Sequence, residues 1–141
     1  MTGYSGRTVL VTGANSGIGF EAARQFAEAG WGKVILACRT EAKAGAARDR
    51  LVERTGKDSF ELLAVDTSEV ASANTASDQL RERGENIDFL LPNAGASGAQ
   101  PHFNSDGVEI TWASTLVGHH VMTMRMLGDG LLSPSARIVM T

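Results

Sequence analysis

Three glycines in the run Thr12-Gly13-Ala14-Asn15-Ser16-Gly17-Ile18-Gly19 stand at spacings of four and two. Glycine at such positions lets a chain turn tightly and lets its backbone approach a ligand with no Cβ in between. The run sits between a β-rich segment, Thr8 to Thr12, and a helical pattern, Ile18 to Ala29. A helix that starts on such a turn aims its first N–H groups and the positive end of its dipole at whatever the turn holds. That chemistry suits a pyrophosphate, and Gly17-x-Gly19-x-x-Ala22 also satisfies the loose dinucleotide fingerprint. The competing reading is a glycine-rich turn that only reverses the chain.

Such a cradle needs a scaffold, and the rest of the chain supplies one. Apolar runs at Thr8–Thr12, Lys33–Cys38, Phe60–Val65 and Ile87–Leu91 read as buried strands. Between them, helical patterns span 18–29, 42–55 and 69–83, stopped by Gly30, Gly56 and Gly84. Pro92 ends the fourth strand, and Ala94 to Ser105 reads as loop. A long helix is expected from Asp106 to Leu127, with Val108, Trp112, Leu116 and Ile110, Val117, Val121 facing partners. Ser133-Pro134-Ser135 reads as a turn before a fifth strand, Arg137 to Thr141. Five strands alternating with four helices predict an α/β fold, a Rossmann-type doubly wound parallel sheet of order 3-2-1-4-5. The fifth strand has no cap or polar tail after Thr141. The expectation is therefore a native start at Met1 and one C-terminally incomplete domain, residues 1–141.

The motifs together resemble the short-chain dehydrogenase/reductase family. Thr12 to Gly19 resembles its TGxxxGxG motif. Asn93-Ala94-Gly95 resembles its NNAG motif, with Pro92 in place of the first Asn. Asp66 stands where the family carries an adenine-binding Asp, and Asp106 to Trp112 with Gly118-His119 resembles, more loosely, its retinol-dehydrogenase-like branch. The resemblance implies a dinucleotide site built from Gly13, Asn15, Ser16, Gly17, Ile18, Gly19, Asp66, Thr67, Asn93, Ala94 and Gly95. Asp66 could accept from the adenine amino group with the Thr67 backbone beside the ring. Asp66, Thr67 or Ser68 could equally cap the next helix. Asn93 to Gly95 are small and leave room for a ribose, and they also suit a plain strand-ending turn.

Cofactor choice turns on the end of the second strand. An NAD enzyme places Asp or Glu about 20 residues after the glycine turn, to hold the ribose hydroxyls. Ala37-Cys38-Arg39-Thr40 offers no carboxylate there. Arg39 could pair with a 2′-phosphate and Lys43 could add a second charge, which favours NADP over NAD. As plain surface cations they would be partly offset by Glu41.

For the chemical step the resemblance implies hydride transfer to or from an alcohol or carbonyl, assisted by Tyr-x-x-x-Lys, a Ser and often an Asn. Tyr4 is the sole tyrosine, position 8 is Thr, and the lysines are Lys33, Lys43 and Lys57. Tyr-x-x-x-Lys does not occur, and Thr115 stands where many relatives have Asn. Catalytic residues stay unassigned. The expected function is the cofactor-binding part of an NADP-dependent oxidoreductase, the alternative being a dinucleotide-binding sensor without catalysis. A methyltransferase on a similar sheet fits the glycine spacing and Asn93-Ala94-Gly95 less well.

Other residues carry less. His119 and His120 point to different helix faces, and no Cys or acid lies at ligand spacing to make a metal site. Met122, Met124 and Met126 suit packing gaps, and Cys38 suits an inert core thiol. With 13 basic against 16 acidic residues, a net charge of −3, 43% apolar and 21% charged residues, the chain reads as a packed soluble domain. That balance gives no reason to expect nucleic acid or an anionic membrane as partner. No signal segment is read in Met1 to Ser5, no run could span a bilayer, and one cysteine cannot form an internal disulfide, so the expected location is cytoplasmic. A homo-oligomer through the helix 106–127 is a further expectation from the resemblance.

Overall fold

The computed structural model describes residues 3–141; Met1 and Thr2, at the expected native start, lie outside them. The strands are β1 (Thr8–Thr12), β2 (Lys33–Cys38), β3 (Phe60–Ala64), β4 (Ile87–Leu91) and β5 (Leu132–Ile138). They form one sheet in the order β3-β2-β1-β4-β5, and every neighbouring pair is parallel. The helices are α1 (Gly17–Glu28), α2 (Glu41–Thr55), α3 (Val70–Glu82), α4 (Ile110–Trp112) and α5 (Gly118–Gly128). A single π-helical stretch, Ala113–Val117, joins the last two. The expected fold class and strand order are those observed.

Strand alternation divides the core between the two faces of the sheet. Val9, Val11, Val34 and Leu36 pack with Phe20, Ala23 and Ala27 of α1 and Ala44, Ala47 and Leu51 of α2. Leu10 and Ile35 turn the other way, onto Ala73, Ala76 and Leu80 of α3 and Met122 and Met126 of α5. Burial of the central strands on both faces explains why they read as unbroken apolar runs. Thr40 caps α2 by accepting from the Lys43 N–H at 3.2 Å, and Gly56 closes it in the left-handed conformation.

Three expectations are corrected. The long helix starts at Ile110, not Asp106. The Asn104 side chain accepts from the N–H groups of Asp106 (3.0 Å) and Val108 (2.8 Å), and Gly107 has φ +77°, so 104–108 closes as a turn. Glu109 then caps α4 by accepting from Thr111 and Trp112. Trp112, Leu116 and Met124 are exposed rather than packed, whereas Met122 and Met126 fill the core as expected.

The fifth strand is Leu132–Ile138 rather than Arg137–Thr141, and Ser133-Pro134-Ser135 lies inside it. The register runs from Ile87↔Leu132 to Phe89↔Arg137, so a two-residue step on β4 faces a five-residue step on β5. The extra residues, proline among them, form an irregularity in the sheet, as a residue without an N–H requires. Pairing continues beyond it, with the Val139 N–H on the Leu90 carbonyl at 3.0 Å and the Thr141 N–H on the Pro92 carbonyl at 3.3 Å.

Asp66, Thr67 and Ser68 do not cap α3. Its N-cap is Glu69, which makes no side-chain cap bond. Asp66 Oδ1 instead accepts from the Ser68 N–H (3.0 Å) and hydroxyl (2.6 Å), closing a tight turn ahead of the helix.

Candidate functional site

At the C-terminal ends of β1, β2, β3 and β4 lies a cavity of about 280 Å³. Open parallel sheets bind ligands at this end, where the strand order reverses. Here the reversal falls between β1 and β4, the first and fourth strands of the chain.

Gly13, Asn15 and Ser16 line it from the turn after β1, and Arg39 and Lys43 from the β2–α2 junction. Asp66 and Thr67 face it after β3, and Asn93, Ala94 and Gly95 after β4. Three expected residues do not line it. Gly17 and Gly19 lie in the first turn of α1, and the Ile18 side chain is exposed. Each can contribute only its backbone N–H. The first N–H groups of a helix have no intrahelical acceptor, and Ser16 at the N-cap makes no side-chain bond to them.

The turn after β1 is packed as tightly as its glycines suggested. Gly13 has φ +66° and Gly17 φ +55°. A Cβ on Gly19 would lie 2.3 Å from the Gly13 carbonyl oxygen and 2.6 Å from Asn93 Nδ2, so only glycine brings the helix start onto the turn. Over Gly17 the space is open, with nothing within 4 Å of a Cβ. An anion could approach there.

Sequence reasoning missed how Thr12 joins the two loops. Its hydroxyl oxygen accepts from the N–H groups of Asn93 (2.8 Å) and Ala94 (2.9 Å), and its carbonyl accepts from Asn93 Nδ2 at 3.1 Å. The same hydroxyl lies 2.8 Å from His119 Nε2, whose Nδ1 lies 2.9 Å from the Thr115 carbonyl oxygen. Ala37, Cys38, Val65, Ala96 and Ser114 also line the cavity. They are ordinary core or loop residues that no motif signals. Burial pushes the Cys38 thiol up to about 11, partly opposed by the nearby Ala14 and Asn15 backbone, so it stays protonated and unreactive near neutrality.

Arg39 and Lys43 flank the cavity without an ion-pair partner among the described residues. Asp66 Oδ2 has no protein donor among them either, since both Ser68 bonds go to Oδ1. One rim thus carries free positive charge and another a free carboxylate oxygen. Thr115 lies in the π-helical turn, its hydroxyl 3.5 Å from where a Cβ on Gly95 would stand.

Tyr4 sits elsewhere. It stacks on Trp31 with ring centroids 5.1 Å apart, and its carbonyl accepts from the Gly32 N–H at 3.0 Å, before β2 begins. It is therefore at the N-terminal end of the strands, as expected, across the sheet from the cavity.

Residues 7–141 match the family model described as short chain dehydrogenase. The chain is 34% identical over 137 residues to the human (Homo sapiens) WW domain-containing oxidoreductase, covering 96% of this chain and 33% of that protein. It is 33% identical over 135 residues to human retinol dehydrogenase 13, covering 95% of this chain and 40% of that one. The solved short-chain dehydrogenase from Sphingobium yanoikuyae in complex with NADPH superposes with a TM-score of 0.69 at 27% identity, over 95% of this chain and 52% of that one. The chain thus spans roughly a third to two-fifths of the length of these human relatives. No helix among the described residues is long and apolar enough to cross a membrane. The glycine turn, the Asn93-Ala94-Gly95 turn beside it and the match over 7–141 carry one conclusion: the chain belongs to the short-chain dehydrogenase family.

Proposed function

We infer that this chain is the cofactor-binding part of an NADP-dependent oxidoreductase acting on an alcohol or carbonyl substrate. The observation that carries NADP is the pair Arg39 and Lys43 at the cavity rim, with no carboxylate at the end of β2 to hold a free ribose diol. Two cations there suit a 2′-phosphate, Arg39 through its planar fork and Lys43 as a point charge. Relatives solved with NADPH and with NADH support a nicotinamide dinucleotide here, and the choice between the two rests on Arg39 and Lys43.

The residues fit a dinucleotide in their own geometry. The backbone of Gly13 to Gly19 and the open start of α1 would hold the pyrophosphate. Asp66 Oδ2 and the Thr67 backbone would hold the adenine, and Asn93, Ala94 and Gly95 would flank the nicotinamide-side ribose. A bound nicotinamide supplies or accepts the hydride. The chain's own residues bind and orient it and supply no assigned proton donor.

A cytoplasmic protein, with a small alcohol or carbonyl compound as partner rather than nucleic acid or membrane, completes this reading. So does a homo-oligomer through the region 106–127, whose Trp112, Leu116, Met124 and Leu127 leave apolar surface exposed. One observation favours a second reading, a non-catalytic dinucleotide sensor: the only tyrosine is at the far end of the strands. Separate titrations of NADPH and NADH into the purified chain test the proposal. Tighter NADPH binding is expected; equal affinities would remove the NADP assignment, and no binding of either would remove the dinucleotide site.

A further inference from the structure

His119 is the one histidine the structure buries, and none of the expected binding residues accounts for it. Its two ring nitrogens meet partners that dictate its proton. A threonine hydroxyl has one hydrogen to donate and two lone pairs to accept with. Both lone pairs of Thr12 Oγ1 are taken, by the N–H groups of Asn93 at 2.8 Å and Ala94 at 2.9 Å. The hydroxyl hydrogen is then left for His119 Nε2, 2.8 Å away, which must be an unprotonated acceptor. Nδ1 faces the Thr115 carbonyl at 2.9 Å, a group that can only accept, so Nδ1 must carry the hydrogen. The two constraints agree on one neutral tautomer.

We propose that His119 is a positioning residue for the dinucleotide cradle: as the neutral Nδ1–H imidazole it takes the Thr12 hydroxyl hydrogen and thereby fixes Thr12 as the double acceptor that holds the Asn93–Ala94 turn. The word dinucleotide rests on the reading given above; the positioning of the turn does not. The chain of bonds runs from the end of β4 through the end of β1 to the π-helical turn at Thr115, so one ring ties together three segments around the cavity.

The arrangement tolerates no second proton. An Nε2–H would point at an oxygen whose lone pairs are already used. Either the Asn93 or the Ala94 N–H would then lose its acceptor, and the Thr12 hydrogen would have to turn away from the ring. Burial opposes that proton as well and holds His119 below the ordinary histidine value of 6.5, although the Thr115 carbonyl pulls the other way. None of the ionisable groups on the surrounding elements is bonded to the His119 ring. Asp66 after β3 is bonded to Ser68, and Asp88 on β4 accepts from the Thr8 N–H at the opposite strand end. Glu69 holds Ser105, Arg125 and Asp78 pair with each other, Cys38 stays a thiol, and His120 is exposed. Acid should therefore loosen the cradle as His119 takes up its proton.

The experiment uses the full 141-residue chain, ¹⁵N-labelled, between pH 8 and pH 5. Imidazole nitrogen shifts read the tautomer, and backbone amide signals of Asn93 and Ala94 read the turn. NADPH fluorescence reads binding. Expected are the Nδ1–H tautomer at pH 8, and Asn93 and Ala94 signals that move in step with His119 at a midpoint below 6.5. NADPH affinity should fall by about tenfold across that midpoint, the equivalent of one lost hydrogen bond. His119→Gln retains an oxygen that can accept from Thr12 but cannot titrate, so its Asn93 and Ala94 signals and its NADPH binding should be flat over the range. His119→Phe keeps the ring volume without the acceptor and should bind weakly at every pH. An Nε2–H tautomer, Asn93 and Ala94 signals indifferent to His119, or persistence of the pH dependence in His119→Gln would each overturn the proposal. Absence of NADPH binding at pH 8, with both amides still following His119, would overturn the dinucleotide reading and leave the positioning of the turn supported.

Discussion

A Cβ built on Gly118 would lie 1.9 Å from the carbonyl oxygen of Thr67 and 2.7 Å from its carbonyl carbon. The start of α5 thus rests directly on the backbone of the β3–α3 turn, and that turn lines the candidate site. The atoms in the way are backbone, so no rotamer change can relieve the clash. Gly118→Ala should push the helix off the turn at a cost of about 1–3 kcal/mol and weaken dinucleotide binding through displaced Asp66 and Thr67. Gly45→Ala is the control. Gly45 lies half-buried within α2, where a Cβ would meet only Leu62 Cδ1 at 3.9 Å, and the change should stabilise by about 0.5–1 kcal/mol. Urea unfolding of both variants checks the pair; a Gly118→Ala protein as stable as the parent would show that α5 can shift freely.

Gly118 also shows where legibility in the sequence stopped. The central strands were readable because Val9, Leu10, Val11, Val34, Ile35 and Leu36 are buried on both faces and leave an apolar run. The glycine turn was readable because its constraint is local, one residue's φ or one close approach within seven positions. The Thr12–His119 bond joins residues 107 apart, and no local pattern reports it. The start of the long helix was misplaced for a related reason. Asp106-Gly107-Val108 is helix-compatible until the Asn104 side chain takes two of its N–H groups. The β5 boundary moved because a sheet irregularity absorbed Ser133-Pro134-Ser135, which in isolation reads as a turn. Local periodicity is read well; side chains that substitute for backbone partners are not.

Arg39 should set the cofactor preference. A hydrogen bond to a charged group contributes about 1.5–3 kcal/mol, so Arg39→Asp should weaken NADPH binding by about tenfold or more. The new carboxylate could accept from a ribose diol, so NADH binding should hold or improve. Calorimetric titration of both dinucleotides into both proteins checks this. An Arg39→Asp protein that loses NADPH and NADH affinity equally would mean that Arg39 supports the cavity rather than selecting its ligand.

Lys33 is expected to matter for stability at alkaline pH. Its Nζ lies 2.9 Å from Glu85 Oε2 and 3.4 Å from Glu61 Oε1, and the Glu85 side chain is only 3% exposed. Burial alone would lower the Lys33 pKa, but the hydrogen bond and charge of Glu85, aided by Glu61, outweigh it and raise the value above 10.5. A raised folded-state value means that the ion pair stabilises fully below 10.5 and that this contribution is lost as the pH rises through the folded value. Lys33→Met leaves the buried Glu85 carboxylate without its cation, and because Lys33 itself is a third exposed the cost at neutral pH is about 1–3 kcal/mol. Denaturant unfolding between pH 7 and pH 11 should show the parent losing stability at the alkaline end and Lys33→Met lower at neutrality but flatter. Equal slopes for the two proteins would mean that other groups carry the alkaline loss.

The last prediction is that these 141 residues bind a dinucleotide without turning it over. Proton exchange with a substrate oxygen requires an acid or base within hydrogen-bond reach of it. A tyrosine, ordinarily near pKa 10, needs a close cation at its hydroxyl to serve near neutrality. The sole tyrosine, Tyr4, stacks on Trp31 with the Arg7 guanidinium 5.8 Å from its ring centre. That cluster is at the strand ends that carry Thr8 and Lys33, whereas the cavity opens beyond Thr12 and Cys38. A five-residue strand rises roughly 16 Å, so the Tyr4 hydroxyl is far outside contact distance of anything bound there. Among residues lining the cavity, Lys43 belongs to the rim proposed for the 2′-phosphate, Asp66 to the side proposed for the adenine, Cys38 is held protonated by burial, and Ser114 is a hydroxyl with no base assigned to it. A cofactor-oxidation assay over a panel of aldehydes and ketones should therefore show only background, with NADPH binding intact in the same sample. Turnover that survives repurification and is lost in Gly19→Val, whose side chain would strike the Gly13 carbonyl, would show that a residue of this chain supplies the proton after all. Ser114 would then be the first group to replace.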